Sequence, residues 1–500
     1  MIVDNDLLSI QQARIIAENA LEAQKRLATF SQEQLDAIVE GMAEAVGKQA
    51  QALAIIAHEE TDFGNWQDKS IKNQFVCKEC REQLRGMRCV GVVHEDHEKQ
   101  ITDIGVPVGV IVALCPVTSP VSTAIYTTLI AIKSGNAVLF SPHPRAVNSI
   151  SKTLDIMIEA AEASGLPEGC LSYLSPVAKS GTLELMNHSA TSLILNTGVP
   201  RMMEAARASG KPVIYGGNGN GPAFIERTAD IQQAAKDIVS SKTFDNGIAV
   251  SAEQSIVVDS CISHEVKLAL QEQGAYFMTE EESHQLAAQL FCPSGLHRPG
   301  MVGKTAQVLA QRAGFSIPDT VKVLVAQRKY VSEADPYSRE LLAPVLAYYV
   351  EDDWMHACEK CIELLLHEKK AHTLIIHSTN EDVIHQFAIK KPVGRILVNT
   401  PGAFGGMGAT TNLFPSMTLG SGSAGVGITS DNVSPHNLIY TRKVGYGVCR
   451  MESQRDKELP AASPASGEQS RASQGINISI PELRQIITAV VEAVDGSEQR

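Results

Sequence analysis

From about Ile10 to Ala57, apolar residues recur at the spacing of amphipathic helices, and Ser31 followed by Gln34 is a capping-box pattern opening the second of them. Then the period changes. Short apolar runs alternate with helix-length amphipathic stretches: VGVIVALC, NAVLFSP, TSLILNTG, KPVIYGG and AFIE in the first half, EQSIVVD, KVLVAQ, PVLAYYV, HTLIIHS and GRILVNT in the second. Such runs, separated by helices, predict parallel strands joined by crossovers. The fold class is therefore α/β with two domains, and the break is placed near Ala235 to Ser241.

The C-terminal stretch follows another rule. Between Glu452 and Gly475 the sequence ESQRDKELPAASPASGEQSRASQG has no core-building residues and predicts a flexible linker. Beyond it Leu483, Ile486, Ile487, Val490, Val491 and Val494 form one apolar stripe opposite Glu482, Arg484, Gln485 and Glu492. Ser479 and Glu482 can close a capping box, with Pro481 in the first turn. A helix of this length is marginal alone, so it is expected to dock. The tether favours a partner protein; packing back on its own domain is the alternative.

Composition narrows the classes. Five hundred residues, 44% hydrophobic, are enough for two or three sizeable cores, and the net charge of −13 with scattered Lys and Arg argues against nucleic acid. The longest apolar run, Ile104 to Val117, is broken by Pro107 and Pro116, so no membrane span is expected. The opening MIVDNDLLS lacks the pattern of a signal peptide. Ten dispersed cysteines suit a reducing compartment. The pairs Cys77/Cys80 and Cys358/Cys361 fall in helical patterns, where such spacing places small apolar residues on one face, and no metal site is expected.

Six segments carry a family resemblance: ALCPVTSPVSTAIYTTLIAIKSGNAVLFSPHPRA (113–146), SGKPVIYGGNGNGPAFI (209–225), SKTFDNGIAVSAEQSIVV (241–258), PVLAYYV (344–350), GRILVNTPGAFGG (394–406) and MTLGSGSAGVGITSDNVSPHNLI (417–439). Together, over about residues 8 to 450, the chain resembles the CoA-acylating aldehyde dehydrogenases, the group that includes the aldehyde half of bifunctional aldehyde–alcohol dehydrogenases. The resemblance implies an aldehyde dehydrogenase fold with five parts: N-terminal helices and a Rossmann-like NAD domain over 1–240, with an oligomerisation hairpin at about 87–105; a catalytic domain over 241–436; an oligomerisation strand over 437–451; the linker, 452–475; and the amphipathic helix, 476–500. NAD and CoA are the implied cofactors. In this family a cysteine thiolate attacks the aldehyde, an asparagine amide and the nucleophile's backbone N–H hold the oxyanion, hydride passes to NAD and CoA accepts the acyl group.

Against that pattern three segments depart. The motif FDNG, two residues, Cys, two residues, Glu places Val250 where the nucleophile stands. PVTSP has Ser119 in place of the oxyanion asparagine, and NTGVPRMM has Val199 and Arg201 where TGGPGMV has glycines. Other positions match. Thr118, Ser141, His143, Pro144, Arg145, Thr197, Gly198 and Glu340 are the implied cofactor-binding residues, and Asn220 and Pro222 of the Gly-rich turn persist. Asn220 also reads plainly as a turn former and Glu340 as a solvated carboxylate.

Two functions remain open from sequence. One is a non-catalytic family member acting as a structural, assembly or ligand-binding subunit; the other is an active aldehyde oxidoreductase with an unrecognised nucleophile. The linker and tail helix resemble the encapsulation peptides of enzymes packed inside bacterial microcompartments. That resemblance implies a cytoplasmic location within such a compartment and a shell or cargo protein as partner of 476–500. A homo-oligomer, dimer or tetramer, or a hetero-oligomer with an active paralogue is implied as well.

Overall fold

The structure, a computed structural model, describes residues 4–369, 372–449, 481 and 485. Helices Asn5–Leu27, Gln32–Gly47 and Ala50–Thr61 open the chain. Ser31 closes the expected capping box with Gln34, its hydroxyl accepting from the Gln34 N–H while the Gln34 side chain accepts from the Ser31 N–H. Strands β1 (Gly91–Asp96) and β2 (Ile101–Pro107) then form an antiparallel hairpin.

Next come β3 (Val110–Leu114), β4 (Ala137–Ser141), β5 (Leu171–Tyr173), β6 (Thr191–Thr197) and β7 (Val213–Gly216), a parallel sheet in the order β5-β4-β3-β6-β7. A larger parallel sheet follows, built from β8 (Pro222–Ile225), β9 (Ser255–Asp259), β10 (Ala275–Phe277), β11 (Val323–Gln327), β12 (Val345–Glu351), β13 (Thr373–His377) and β14 (Arg395–Val398), ordered β10-β11-β12-β9-β8-β13-β14. Finally β15 (Ile439–Gly445) returns to pair antiparallel with β2, making a three-stranded flap.

Both parallel sheets are buried on both faces, which is why their strands read as continuous apolar runs. The run AFIE belongs to the larger sheet. It hydrogen-bonds to β9 and β13, so sheet membership changes between Gly216 and Pro222, through the Gly-rich turn. The expected break near Ala235 to Ser241 falls inside the continuous helix Ile231–Thr243. An apolar run tells that a strand is buried, not which sheet it joins.

Cys77 and Cys80 lie in a wide π-type turn, Val76–Cys80, and Cys358 and Cys361 in the helix Trp354–His367; all four are buried. Burial pushes the Cys77 and Cys361 thiols up to about 12. Among the described residues no helix is long and apolar enough to cross a membrane. Pro481 and Gln485 are helical and exposed, while the rest of the linker and tail helix expected over 452–500 lies outside the described residues.

Candidate functional site

The site is assembled by three segments far apart in sequence. Strand β3 ends at Leu114, and the turn that follows delivers Ser119 to the N-cap of the helix Pro120–Lys133. That helix is buried on every side, its short hydroxyl side chains and Lys133 included. The helix Trp66–Phe75 supplies Lys69 and Lys72, one turn apart and therefore on one face. The third segment is Phe244–Gly247, where Asp245, Asn246 and Gly247 have φ of +49°, +52° and +77°.

Three consecutive left-handed residues persist only when their surroundings hold them. Here the holding is polar. Asp245 Oδ1 accepts from the Asn65 N–H at 2.9 Å and Oδ2 from Lys72 at 2.5 Å and Lys69 at 3.0 Å, while the Asp245 N–H donates to Asp68 at 2.7 Å. Gly64 makes room: a Cβ there would fall 1.8 Å from Asp245 Oδ1. Burial pushes the Asp245 carboxyl up, but Lys69 and Lys72 outweigh it and leave it below its ordinary value. Lys69 is pushed down to about 8, chiefly by burial.

This kinked turn delivers Ile248, Ala249, Val250 and Ser251 to a narrow cleft. Its other walls include Lys72, Pro116, Thr118, Ser119, Thr197, Gly198 and Glu340. Six residues singled out from sequence (Thr118, Ser119, Thr197, Gly198, Val250 and Glu340) thus meet around one space. Glu340 accepts from the Asn218 amide at 2.7 Å and the Gly219 N–H at 3.1 Å. Asn220 has a packing role, its buried amide donating to the Ser338 and Leu364 carbonyls.

A neighbouring groove is lined by Ser141, His143 and Pro144 together with Lys179, Thr182, Val199 and Arg201. It lies at the carboxyl ends of β3, β4 and β6, the edge where open parallel sheets bind nucleotides. Consecutive residues line the two spaces: Cys115 and Val199 the groove, Pro116 and Gly198 the cleft. Two cationic side chains and two hydroxyls on this edge fit an extended anionic nucleotide. Val199 packs against the core under the smaller sheet and its N–H and carbonyl are tied to the Asn196 amide group. Arg145 lines neither space: its guanidinium donates to the Thr61 carbonyl and lies 4.7 Å from the centre of the Phe63 ring.

Several residues at the site went unread in the sequence. Glu253, the last position of the motif, is buried, its Oε1 accepting from the Gly402 N–H at 2.7 Å, and burial pushes it up to about 7. Lys242, equally buried, is pushed down to about 7 and donates to Gln254 Oε1 and the Leu341 carbonyl. Behind Val250 sits His372, pushed down to about 3 by burial and by Arg395. A Cβ on Gly219 would fall 2.0 Å from the Val250 carbonyl and 2.4 Å from His372 Nε2, so that glycine is required by packing. Lys72 and Asp245 are 173 positions apart, and no local pattern announces their pairing.

The aldehyde dehydrogenase family pattern matches residues 4–284, more than half of the chain. The chain belongs to the aldehyde dehydrogenase family. The bifunctional aldehyde–alcohol dehydrogenase of Escherichia coli K12 is 36% identical over 441 residues, 87% of this chain and 49% of that protein. The chain thus spans about half the length of the first curated relatives it matches. An acetylating aldehyde dehydrogenase from Geobacillus thermoglucosidasius superposes with a TM-score of 0.87 at 42% identity, covering 90% of this chain and 99% of that one. A propionaldehyde dehydrogenase from the fucose-utilisation microcompartment of Clostridium phytofermentans gives 0.78 at 28%, covering 86% and 96%. The propionaldehyde dehydrogenase of Rhodopseudomonas palustris, solved with bound CoA and an acylated cysteine, gives 0.79 at 26%, covering 87% and 97%. This aldehyde dehydrogenase scaffold accounts for the cleft and groove as parts of one edge of the fold.

Proposed function

We propose that this protein keeps the scaffold and nucleotide groove of a CoA-acylating aldehyde dehydrogenase but does not carry out the covalent oxidation of an aldehyde. One observation carries the reading: Val250 faces the cleft at the position where the family motif has its cysteine. A valine offers no lone pair, no transferable proton and no leaving group. Among the described residues no cysteine lines the cleft, and Cys115 beside it is fully buried, which raises its thiol far above the range of reactive thiolates. Ser251 is buried with its hydroxyl on the Ala403 carbonyl. Ser119 is held by the ammonium of Lys72 and not by a base, so it is no alternative nucleophile.

Ser141, His143, Lys179 and Arg201 in the groove, with Thr118, Thr197, Gly198 and Glu340 in the cleft, would hold NAD. Bound nicotinamide supplies a hydride acceptor. The residues of this chain can position such a nucleotide, but Val250 cannot present a covalent hydride donor to it. The protein then serves as an assembly or ligand-binding subunit, with 476–500 docking on a microcompartment shell or cargo protein.

The test follows NADH absorbance with the full-length protein, propionaldehyde, NAD and CoA. Wild type is expected to give no signal above background, and Val250→Cys to gain aldehyde-dependent turnover and a thiol-linked acyl adduct by mass spectrometry. Adding Ser119→Asn should raise that turnover by about 10²–10³, the usual worth of an oxyanion donor. Wild-type turnover that survives exhaustive thiol alkylation would overturn the proposal.

A further inference from the structure

One corner of the cleft sets buried cationic side chains against Ser119, the position where the family motif has its oxyanion asparagine. Lys72 Nζ lies 2.6 Å from Ser119 Oγ and 2.5 Å from Asp245 Oδ2, and Lys69 Nζ lies 3.0 Å from the same Asp245 oxygen. Both lysines are buried, at 2% and 3% exposure. An ammonium group has donors only, so Ser119 Oγ accepts from Lys72 and must direct its own O–H elsewhere. Ser119 stands at a helix N-cap yet makes no cap hydrogen bond with its side chain. The space it lines is the cleft.

The backbone adds to this. The 14-residue helix Pro120–Lys133 starts at the next residue, and Thr123 in its first turn also lines the cleft, so the positive end of the helix dipole meets the same corner. The carboxylates in reach are already engaged. Asp245 serves both lysines and the Asn65 N–H; Asp68 accepts from the Asp245 N–H and the Asn65 amide; Glu340, also in the cleft wall, accepts from Asn218 and Gly219. Much of the remaining wall is apolar, formed by Ile248, Val250, Leu342, Met407 and Leu419.

We propose that this cleft binds a short-chain aliphatic carboxylate, with its anionic oxygens on the Ser119 hydroxyl and the Lys72 ammonium and its alkyl chain against Val250 and the neighbouring aliphatic side chains. A hydroxyl whose oxygen accepts from an ammonium is a polarised donor, and hydrogen bonds to charged acceptors are the strong ones. That selects a carboxylate over an alcohol or amide of the same shape. The inference concerns the same cleft as the non-oxidising reading and rests on the scaffold, not on the absence of turnover.

Calorimetric titration of the full-length protein with propionate tests it, with 1-propanol, propionamide and propylammonium as matched probes. Propionate is expected to bind at least about tenfold more tightly than any of the three. Ser119→Ala should weaken propionate by about tenfold or more, the worth of one hydrogen bond to a charged group. Ser119→Asn, which can accept from Lys72 and still donate into the cleft, should stay within about threefold of wild type. Lys72→Met should abolish binding; its thermal melt is compared with wild type, and if it does not fold, the Ser119 pair decides. Equal binding of propionate and propanol, no propionate binding, or an unaltered Ser119→Ala would each overturn the proposal. Because NADH production is read separately, a wild type that oxidises aldehyde but does not bind propionate refutes this inference, and one that does both refutes only the non-oxidising reading.

Discussion

At the scale of single residues, the buried pair Glu253 and Lys242 links the site to the pH dependence of stability. Burial raises Glu253 from its ordinary 4.5 to about 7 and lowers Lys242 from 10.5 to about 7. Between pH 4.5 and 7 the folded state holds a proton on Glu253 that the unfolded chain has released, so this contribution is full at acid pH and is lost as pH rises. Lys242 acts in the opposite sense. From pH 10.5 down to 7 the unfolded chain holds a proton that the folded state excludes, so stability falls as pH falls through that window. Urea midpoints should therefore dip near neutral pH. Glu253→Gln should flatten the acid limb and Lys242→Met the lower part of the alkaline limb, with Lys69 sustaining a rise above about 8. A Glu253→Gln protein whose midpoint still falls between pH 4.5 and 7 would show that another group is responsible.

At the scale of elements, the three-stranded flap is the surface whose pattern calls for a partner. Its register sets Val92 opposite Ile104, Arg442 opposite Ile104 and Tyr440 opposite Val106, and the alternation along β15 places Tyr440, Arg442 and Val444 on one face. Tyr440, Val92 and Val444 are exposed there. The double change Tyr440→Asp and Val444→Asp is expected to leave the melt of the α/β core intact and to lower the sedimenting mass. An unchanged sedimentation coefficient would remove the flap as the oligomer contact. Element types were legible in the sequence for a simple reason: burial on both faces of a parallel strand, or on one stripe of a helix, is written into hydrophobic periodicity. Sheet membership was not legible, since β7 and β8 carry similar apolar runs within a few residues of each other and pair into different sheets.

At the scale of the molecule, the described residues through Gly445 form one compact unit. The aliphatic stripe that the sequence predicts for a tail helix would gain roughly 25 cal/mol per Å² of apolar surface buried on a partner. Deleting 453–500 should leave the melt of the remaining protein unchanged while abolishing co-purification with shells. Residues 476–500 fused to a fluorescent protein should concentrate in compartments; a diffuse signal in shell-producing cells would refute the targeting role.

The sequence by itself determined the α/β class, the helical N-terminus with its Ser31 cap, the aldehyde dehydrogenase resemblance and the valine at position 250, because each is carried by neighbouring residues or by a contiguous motif. Tertiary structure alone decided what surrounds that valine. Lys69 and Lys72 look like ordinary solvated residues of a polar helix until the left-handed turn at Asp245 is folded against them, and Arg145 looks like a cofactor ligand until its guanidinium is seen on Phe63. The physical reason is that a buried charge is tolerable only beside its partner, and partners separated by 173 residues meet only in the folded chain.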